Sequence, residues 1–330
     1  MNGIFPVAFM AQIEPFAVSI PETGHTLAKV LRSRLHESQP SWADVKKWIE
    51  NRRVKVGDSI CTDIARRLKE GELVAFLDRP APRPKASTPA DLVIRYLDEH
   101  VVVVEKPSGL NTVRHPSELE WSQERRELVP TLQDVAQWAI AQRQGRQLKS
   151  LSPLRIVHRL DKDTSGLISF ARSPLGERGL GMQFRKHTVV RRYLALVPGY
   201  LPPQTIRSWL VPDRGDGRRG STKLMNAGKE AITHIEIEEK LQGYTLLSCR
   251  LETGRTHQIR IHLSEAGHPV CGDPVYSKKT NGEVYADLSR AKRLALHATE
   301  FGFEHPASGE HMHWEMPLPP DMQKLVEKHR

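Results

Sequence analysis

The chain has 330 residues and carries 49 Lys and Arg against 39 Asp and Glu, a formal net charge of +10. That length leaves room for two domains with adequate cores, and the basic surplus suits contact with a polyanion while excluding an acidic solvating tail. A mean hydropathy of −0.48 and the absence of an uninterrupted apolar run of about 18 residues exclude an integral membrane protein.

Taken in chain order, the opening residues Met1 to Phe16 lack a basic start, and Pro6, Gln12, Glu14 and Pro15 interrupt their apolar character. No signal or transit peptide is expected there, and the expected location is cytoplasmic. Leu27, Val30, Leu31 and Leu35 then fall on one helical stripe. A second helix is expected from Ser41, an N-cap with Asp44 three residues on, burying Trp42, Val45, Trp48 and Ile49 and ending in Arg52 and Arg53. Residues 54–58 and 71–76 read as two strands of a hairpin. These elements make a small α/β unit over 26–79. Residues 80–90, PAPRPKASTPA, read as a stiff linker, and 91–330 as the second domain.

The second domain opens with Val101 to Val104, a β-branched run suited to a strand buried on both faces, and turns at Lys106 to Gly109. Thr131 caps a helix with Leu132, Val135, Ala136, Ala139 and Ile140 on one face. Residues 233–251 alternate about a Gln242–Gly243 turn and predict an antiparallel hairpin. The expected class is therefore α+β, a largely antiparallel mixed sheet preceded by the small N-terminal unit. Cys61, Cys249 and Cys271 lie far apart with no CxxC pair, so buried thiols are expected rather than a zinc or redox motif.

The charge is local. Residues 143–192 hold twelve Lys or Arg and three acidic groups, Asp161, Asp163 and Glu177. Arg185, Lys186, His187, Arg191 and Arg192 crowd one stretch, and Arg214, Arg218, Arg219 and Lys223 crowd a Gly-rich segment that reads as a mobile loop. A single cluster of this kind is more often a solvated face, but concentration around one motif points to phosphate contacts and nucleic acid.

That motif is His158 to Leu167, in which Asp161 stands between cations. By composition alone it is an ion-pairing loop residue. Thr164-Ser165-Gly166, however, reads as a tight turn that could aim the carboxylate, as a nucleophile requires. Read as a strand, Gln258 to Leu263 turns Gln258, Arg260 and His262 to one side and presents a cation from a rigid element. His257, His262, His305, His311 and His313 invite a metal reading, but they form no HExxH helix and have no paired Cys; no metal and no cofactor are expected.

HRLDKDTSG, RRYLALVPG about thirty residues on, TGRTHQIRIHL and GHPVCGDPVY together resemble the pseudouridine synthases of the RluA family, over about residues 100–325. VVVVEKPSGL opens the match and RLALHATEFGFEHPASGE closes it, while residues 26–78 more loosely resemble the alpha-L RNA-binding domain that often precedes this catalytic domain. The chain departs from the family at Arg191, where Lys usually stands two residues before the tyrosine; the charge is kept and the hydrogen-bond geometry changes.

The resemblance implies isomerisation of uridine in RNA to pseudouridine, with Asp161 attacking either the ribose or the pyrimidine ring. The carboxylate must be ionised in a partly dry pocket, which burial opposes and Arg260 would favour. Tyr193 matches the active-site tyrosine that packs on the uracil and could handle the carbon-5 proton; from its own alternation it is an ordinary core residue. Arg159 occupies the position that wedges into RNA as the target base is extruded. Arg52, Arg53, Arg185, Lys186, Arg191, Arg192 and Arg255 are the further candidate RNA contacts. The expected partner is RNA, large-subunit ribosomal RNA before transfer RNA, with the protein a monomer. The rival is a ribosome-assembly factor that binds RNA without catalysis. Lys106 and Gly109 match the first family motif and are read as the turn that ends a buried strand.

Overall fold

The computed structural model describes residues 14–35, 40–51, 53–57, 59–61, 63–77, 92–222, 224, 227–277, 285 and 287–330. The 80–90 linker, Arg52 and Lys223 lie outside the described residues. The chain divides into two compact units, 1–86 and 87–330. Among the described residues no helix is long and apolar enough to cross a membrane.

In the first unit, β1 (Phe16–Ala17), β2 (Val54–Val56), β3 (Ser59–Ile60) and β4 (Leu73–Phe76) form an antiparallel sheet in the order β1-β4-β2-β3. Helices α1 (Leu27–Arg34) and α2 (Trp42–Glu50) begin where side-chain oxygens replace missing helical partners: Thr26 Oγ1 accepts from Lys29 N, and Ser41 with Asp44 forms a reciprocal box. Each such cap is worth about 1 kcal/mol. Leu27, Val30, Leu31, Val45, Trp48 and Ile49 close over Val54, Val56 and Val74. Trp42, expected inside, is 52 % exposed; it stands at the first helical position, where its ring lies under the Arg32 guanidinium at 4.6 Å rather than in the core.

Among the described residues the second unit is built on ten strands, of which nine run β10-β9-β11-β12-β8-β13-β7-β6-β5. These are β5 (Ile94–Leu97), β6 (Val101–Lys106), β7 (Ser165–Ala171), β8 (Val190–Pro198), β9 (Gln204–Val211), β10 (Gly220–Thr222), β11 (Lys229–Leu241), β12 (Tyr244–Leu251) and β13 (Leu296–Glu304); β14 (His311–Glu315) pairs with β13. Among the described residues all pairings are antiparallel except β13 with β7, so the class is α+β. The helices are α3 (Gln123–Leu128), α4 (Leu132–Arg143), α5 (Pro174–Lys186), α6 (Gln258–Glu265) and α7 (Pro320–Glu327).

The valine run shows why the sheet has two cores. Val102 and Val104 face a cluster containing Leu132, Val135 and Ile140 of α4 and Ile259 and Leu263 of α6. Val101 and Val103 face the other cluster, with Leu180 of α5 and Phe301 and Phe303 of β13. Alternation sends successive side chains to opposite faces, and here both faces are covered.

Two local expectations change. Thr164-Ser165-Gly166 is not a turn, because Ser165 already starts β7; Gly166, at φ +122°, admits β13 so closely that a Cβ would lie 2.2 Å from Ala298 O. Gln258 to Leu263 is not a strand but the body of α6, with every residue from Gln258 to Ser264 buried. A helix covered on all sides has no polar stripe, so a short run such as QIRIHL alternates as a strand would.

Candidate active site

A loop presents Asp161 just before β7, and the segment following β6 clamps that loop. Thr112 Oγ1 donates to Leu160 O at 2.6 Å and accepts from Leu160 N at 3.2 Å, while Ser108 Oγ donates to Asp163 O at 2.7 Å. Gly109, left-handed at φ +85°, gives its amide to Lys162 O at 2.9 Å. Lys106, 2 % exposed, donates from Nζ to the carbonyls of Lys162, Thr164 and Pro107 at 2.7, 2.7 and 3.0 Å. Three acceptors match the three donors of an ammonium. Burial holds its pKa down to about 7 against the opposing pull of Asp163 and Asp161. The motif read as a strand-ending turn is therefore also the brace of the Asp161 loop. Lys106→Met leaves the Thr164 and Pro107 carbonyls without this donor, at an expected cost of about 2–3 kcal/mol in urea unfolding. An unchanged unfolding midpoint would show that the clamp holds without the amine.

The basic partner comes from α6. Arg260 Nη1 reaches Asp161 Oδ2 at 3.3 Å, and its Nε and Nη2 donate to the two carboxylate oxygens of Asp273 at 2.7 and 2.8 Å. The Asp273 side chain is fully buried, and it also accepts from the amides of Val275 and Tyr276 at 2.8 and 3.0 Å. Burial opposes the charge of Arg260, but the bonds and charge of Asp273, followed by those of Asp161, outweigh it and raise the pKa. Gln258 fixes the start of the helix: its Oε1 accepts from Thr253 Oγ1 at 2.7 Å and Arg255 N at 3.0 Å, and its Nε2 donates to Ile232 O at 2.9 Å. The guanidinium is thus oriented by two bonds before it meets Asp161.

Asp161, Arg260, Tyr193, Arg159, Arg185, Arg191 and Arg255 line one cleft of about 640 Å³. Asp161 is 16 % exposed and Arg260 5 %. Tyr193, on β8, is 7 % exposed; burial raises the pKa of its phenol, with Arg191 opposing and Asp161 adding to the rise. Arg159 and Arg185 are exposed at the cleft. Arg255 is exposed too, although its Nε donates to Glu230 O at 2.8 Å.

Arg191 is buried, donates from Nη2 to Glu252 O at 2.9 Å and lies 5.5 Å from the Phe184 ring centroid. His158 stacks between Phe184 and Phe301 with centroid distances of 4.5 and 5.1 Å and accepts from Ser169 N. Burial, helped by Arg191, pushes its pKa down to about 3, so it is a neutral packing element.

Two further candidates of the second unit, Arg192 and Lys186, do not line the cleft. Arg192 turns to the opposite face of β8, where Nε meets Glu300 at 2.5 Å and Nη1 meets Glu238 at 3.4 Å. Strand alternation requires this: once Tyr193 faces the cleft, Arg191 does as well and Arg192 cannot. Glu300 with His313 and Glu315 has ligand spacing, and Arg192 already occupies that carboxylate. Lys186 lines a separate cavity beside the β13–β14 hairpin. Arg53 lies in the first unit. In the Gly-rich segment Asp213 accepts from Gly215 N and Gly217 N, and Arg214 is paired with Asp216 and Glu265.

Three residues of the site had no assigned role. Asp273 and Tyr276 belong to the GDPVY segment, whose signal was an acid and an aromatic held in a Gly/Pro turn. His257, immediately before α6, places Nε2 3.9 Å from Asp161 Oδ1. Together these groups can direct a carboxylate lone pair into a partly dry cleft rimmed by cations, as nucleophilic chemistry on an anionic polymer needs.

Residues 100–265 match the family model described as RNA pseudouridylate synthase. The chain is 36 % identical over 306 residues to ribosomal large subunit pseudouridine synthase D of Nitrosomonas europaea, covering 90 % of this chain and 83 % of that protein. It is 36 % identical over 300 residues to the uncharacterized RNA pseudouridine synthase YlyB of Bacillus subtilis, covering 89 % and 91 % respectively. Against the ribosomal large subunit pseudouridine synthase D of Escherichia coli K12 the identity is 32 % over 329 residues, with 96 % and 95 % covered. In fold it resembles human RNA pseudouridylate synthase domain containing 4, with a TM-score of 0.55, 22 % identity and coverage of 71 % of this chain and 92 % of that one.

Proposed function

The chain belongs to the RNA pseudouridylate synthase family and is an isomerase that converts uridine in RNA to pseudouridine, and we propose that its substrate is large-subunit ribosomal RNA and its nucleophile Asp161. The observation that carries the second part is the Arg260 guanidinium, locked on Asp273 by two bonds and directed at Asp161 by a third. The first part draws on the names of the relatives in Nitrosomonas europaea and Escherichia coli.

The reaction breaks the bond from N1 to the ribose, turns the uracil and joins carbon 5 to the same ribose carbon; the carbon-5 proton leaves, N1 gains one, and no electrons are gained or lost. On this reading Asp161 supplies the attacking oxygen, to the ribose or to the ring. Arg260 directs it and limits its rotation. Tyr193 offers an apolar face for the uracil, and its retained phenol proton leaves it able to give a hydrogen bond. Arg159, free of any ion pair among the described residues and exposed at the cleft, is suited to fill the stack vacated by an extruded uridine, an event costing a few kcal/mol.

The test is carbodiimide-adduct mapping of transcribed large-subunit ribosomal RNA treated with the wild type and with Asp161→Asn. New reverse-transcription stops are expected with the wild type alone. Stops only on transfer RNA treated in parallel would replace the substrate, and stops with both proteins would remove Asp161 from its role.

A further inference from the structure

We propose that His257 is a positioning residue for the nucleophile, holding the Oδ1 edge of Asp161 with an Nε2 proton that Tyr276 fixes in place, as Arg260 holds the Oδ2 edge. This rests on Asp161 being the nucleophile.

The backbone gives the first observation. His257 sits at the cap position of α6 with φ +59°, ψ 19°, in the left-handed region. For a residue with a side chain this costs about 1–2 kcal/mol, which glycine would avoid. Strain of this kind at a cleft is a pointer to function when the side chain has work to do. Here the conformation directs the imidazole between Tyr276 and Asp161: Nδ1 lies 2.8 Å from the Tyr276 hydroxyl and Nε2 3.9 Å from Asp161 Oδ1.

The second observation is the electrostatics of the tautomer. If Nδ1 carried the proton, the Nε2 lone pair would face a carboxylate. If the Tyr276 hydroxyl donates to Nδ1, an N–H faces Oδ1 instead, and the arrangement is attractive throughout. Burial pushes the Tyr276 phenol up to about 12, so that hydroxyl keeps its proton to donate. The charged groups around the ring are Asp161 on its loop, Arg260 on α6, Asp273 in the segment after it and Arg219 at the end of the 213–219 turn. Burial lowers the imidazole pKa most; Arg260 and Arg219 assist, and Asp161 and Asp273 oppose.

The ring is neutral with one proton, and Tyr276 decides which nitrogen bears it. A gap of 3.9 Å exceeds a hydrogen bond, and bonds of this kind shorten when substrate closes the site.

The test reads the tautomer directly by nitrogen-15 NMR of the imidazoles in the full chain, with the His257 signals assigned by their disappearance in His257→Gln. The wild type is expected to show a neutral Nε2–H ring at pH 7. Tyr276→Phe keeps the aromatic packing but is expected to show mixed tautomers and an imidazolium whose midpoint moves up toward the ordinary 6.5. An Nδ1–H ring or an imidazolium in the wild type at pH 7 would overturn the proposal. A kinetic arm uses ribosomal RNA transcribed with uridine tritiated at carbon 5 and follows tritium release in a single turnover. His257→Gln should be slower by about 10- to 100-fold with RNA affinity unchanged, and Tyr276→Phe should acquire a fall in rate on the acid side. Wild-type rates in His257→Gln would also refute the role. No release by the wild type would remove only the substrate assignment, because the tautomer is read without RNA.

Discussion

Asp161→Asn is expected to abolish pseudouridine formation, with a single-turnover rate lower by about 10⁴-fold or more, while the protein stays folded and still binds RNA. The asparagine has the same shape, and its neutral oxygen cannot attack carbon. The fold should tolerate it because Arg260 retains both bonds to Asp273 and the loop backbone retains Lys106, Ser108, Gly109 and Thr112. The change in unfolding free energy should stay within about 1 kcal/mol. Tritium release from carbon 5 measures the first quantity and urea unfolding the second. A variant that is both inactive and unfolded would assign Asp161 to the structure.

Arg260→Met should have the opposite profile, losing activity and stability together. It strands Asp273 without its counter-ion in a fully buried place, and breaking such a pair costs about 3–5 kcal/mol. Adding Asp273→Asn removes the stranded charge and keeps an oxygen for the amides of Val275 and Tyr276. The double variant should therefore recover much of the stability and none of the activity.

The pH dependence separates the two variants further. In the wild type, burial would raise the Asp273 pKa, yet the bonds and charge of Arg260 and the two amides bring it below 3.8. A lowered carboxylate contributes stability that is complete above 3.8 and is lost as pH falls through the folded value. Without Arg260 burial prevails, the carboxyl is raised, and its penalty should shrink as pH falls from 8 toward 5. Urea midpoints at the two pH values decide this; an equal penalty at both would mean that water reaches Asp273.

What could be read from the residues beforehand was whatever local chemistry enforces. Ser41 and Thr131 cap helices because their side chains supply acceptors the backbone lacks, and 101–104 is a strand because four β-branched residues suit two covered faces. The order of the motifs brought Asp161, Tyr193 and Arg260 to one list, and they line one cleft. What could not be read was set by distant partners. The helix over 258–265 is buried at every residue before Glu265 and so has no polar stripe to give it a period, and the pairing of Arg260 with Asp273 spans a loop that no spacing rule reaches. Arg192 is a different kind of miss: alternation from Tyr193 already excluded it, and local charge density outweighed that signal.

The strand order also bears on how the polypeptide can be made. Asp161 precedes β7, whose neighbours on one side are β6 and β5, whereas Tyr193 belongs to β8, whose neighbours on the other side are β12, β11, β9 and β10. β7 and β8 do not pair with each other; β13, residues 296–304, lies between them and joins both. A growing chain can therefore assemble two part-sheets first, each with open edges that invite wrong pairing, and must wait for residues 296–304 to suture them. Until translation passes that segment Asp161 and Tyr193 have no common frame. A ribosome stalled before it should carry a nascent chain unable to modify any RNA, because neither part-sheet alone holds both Asp161 and Tyr193.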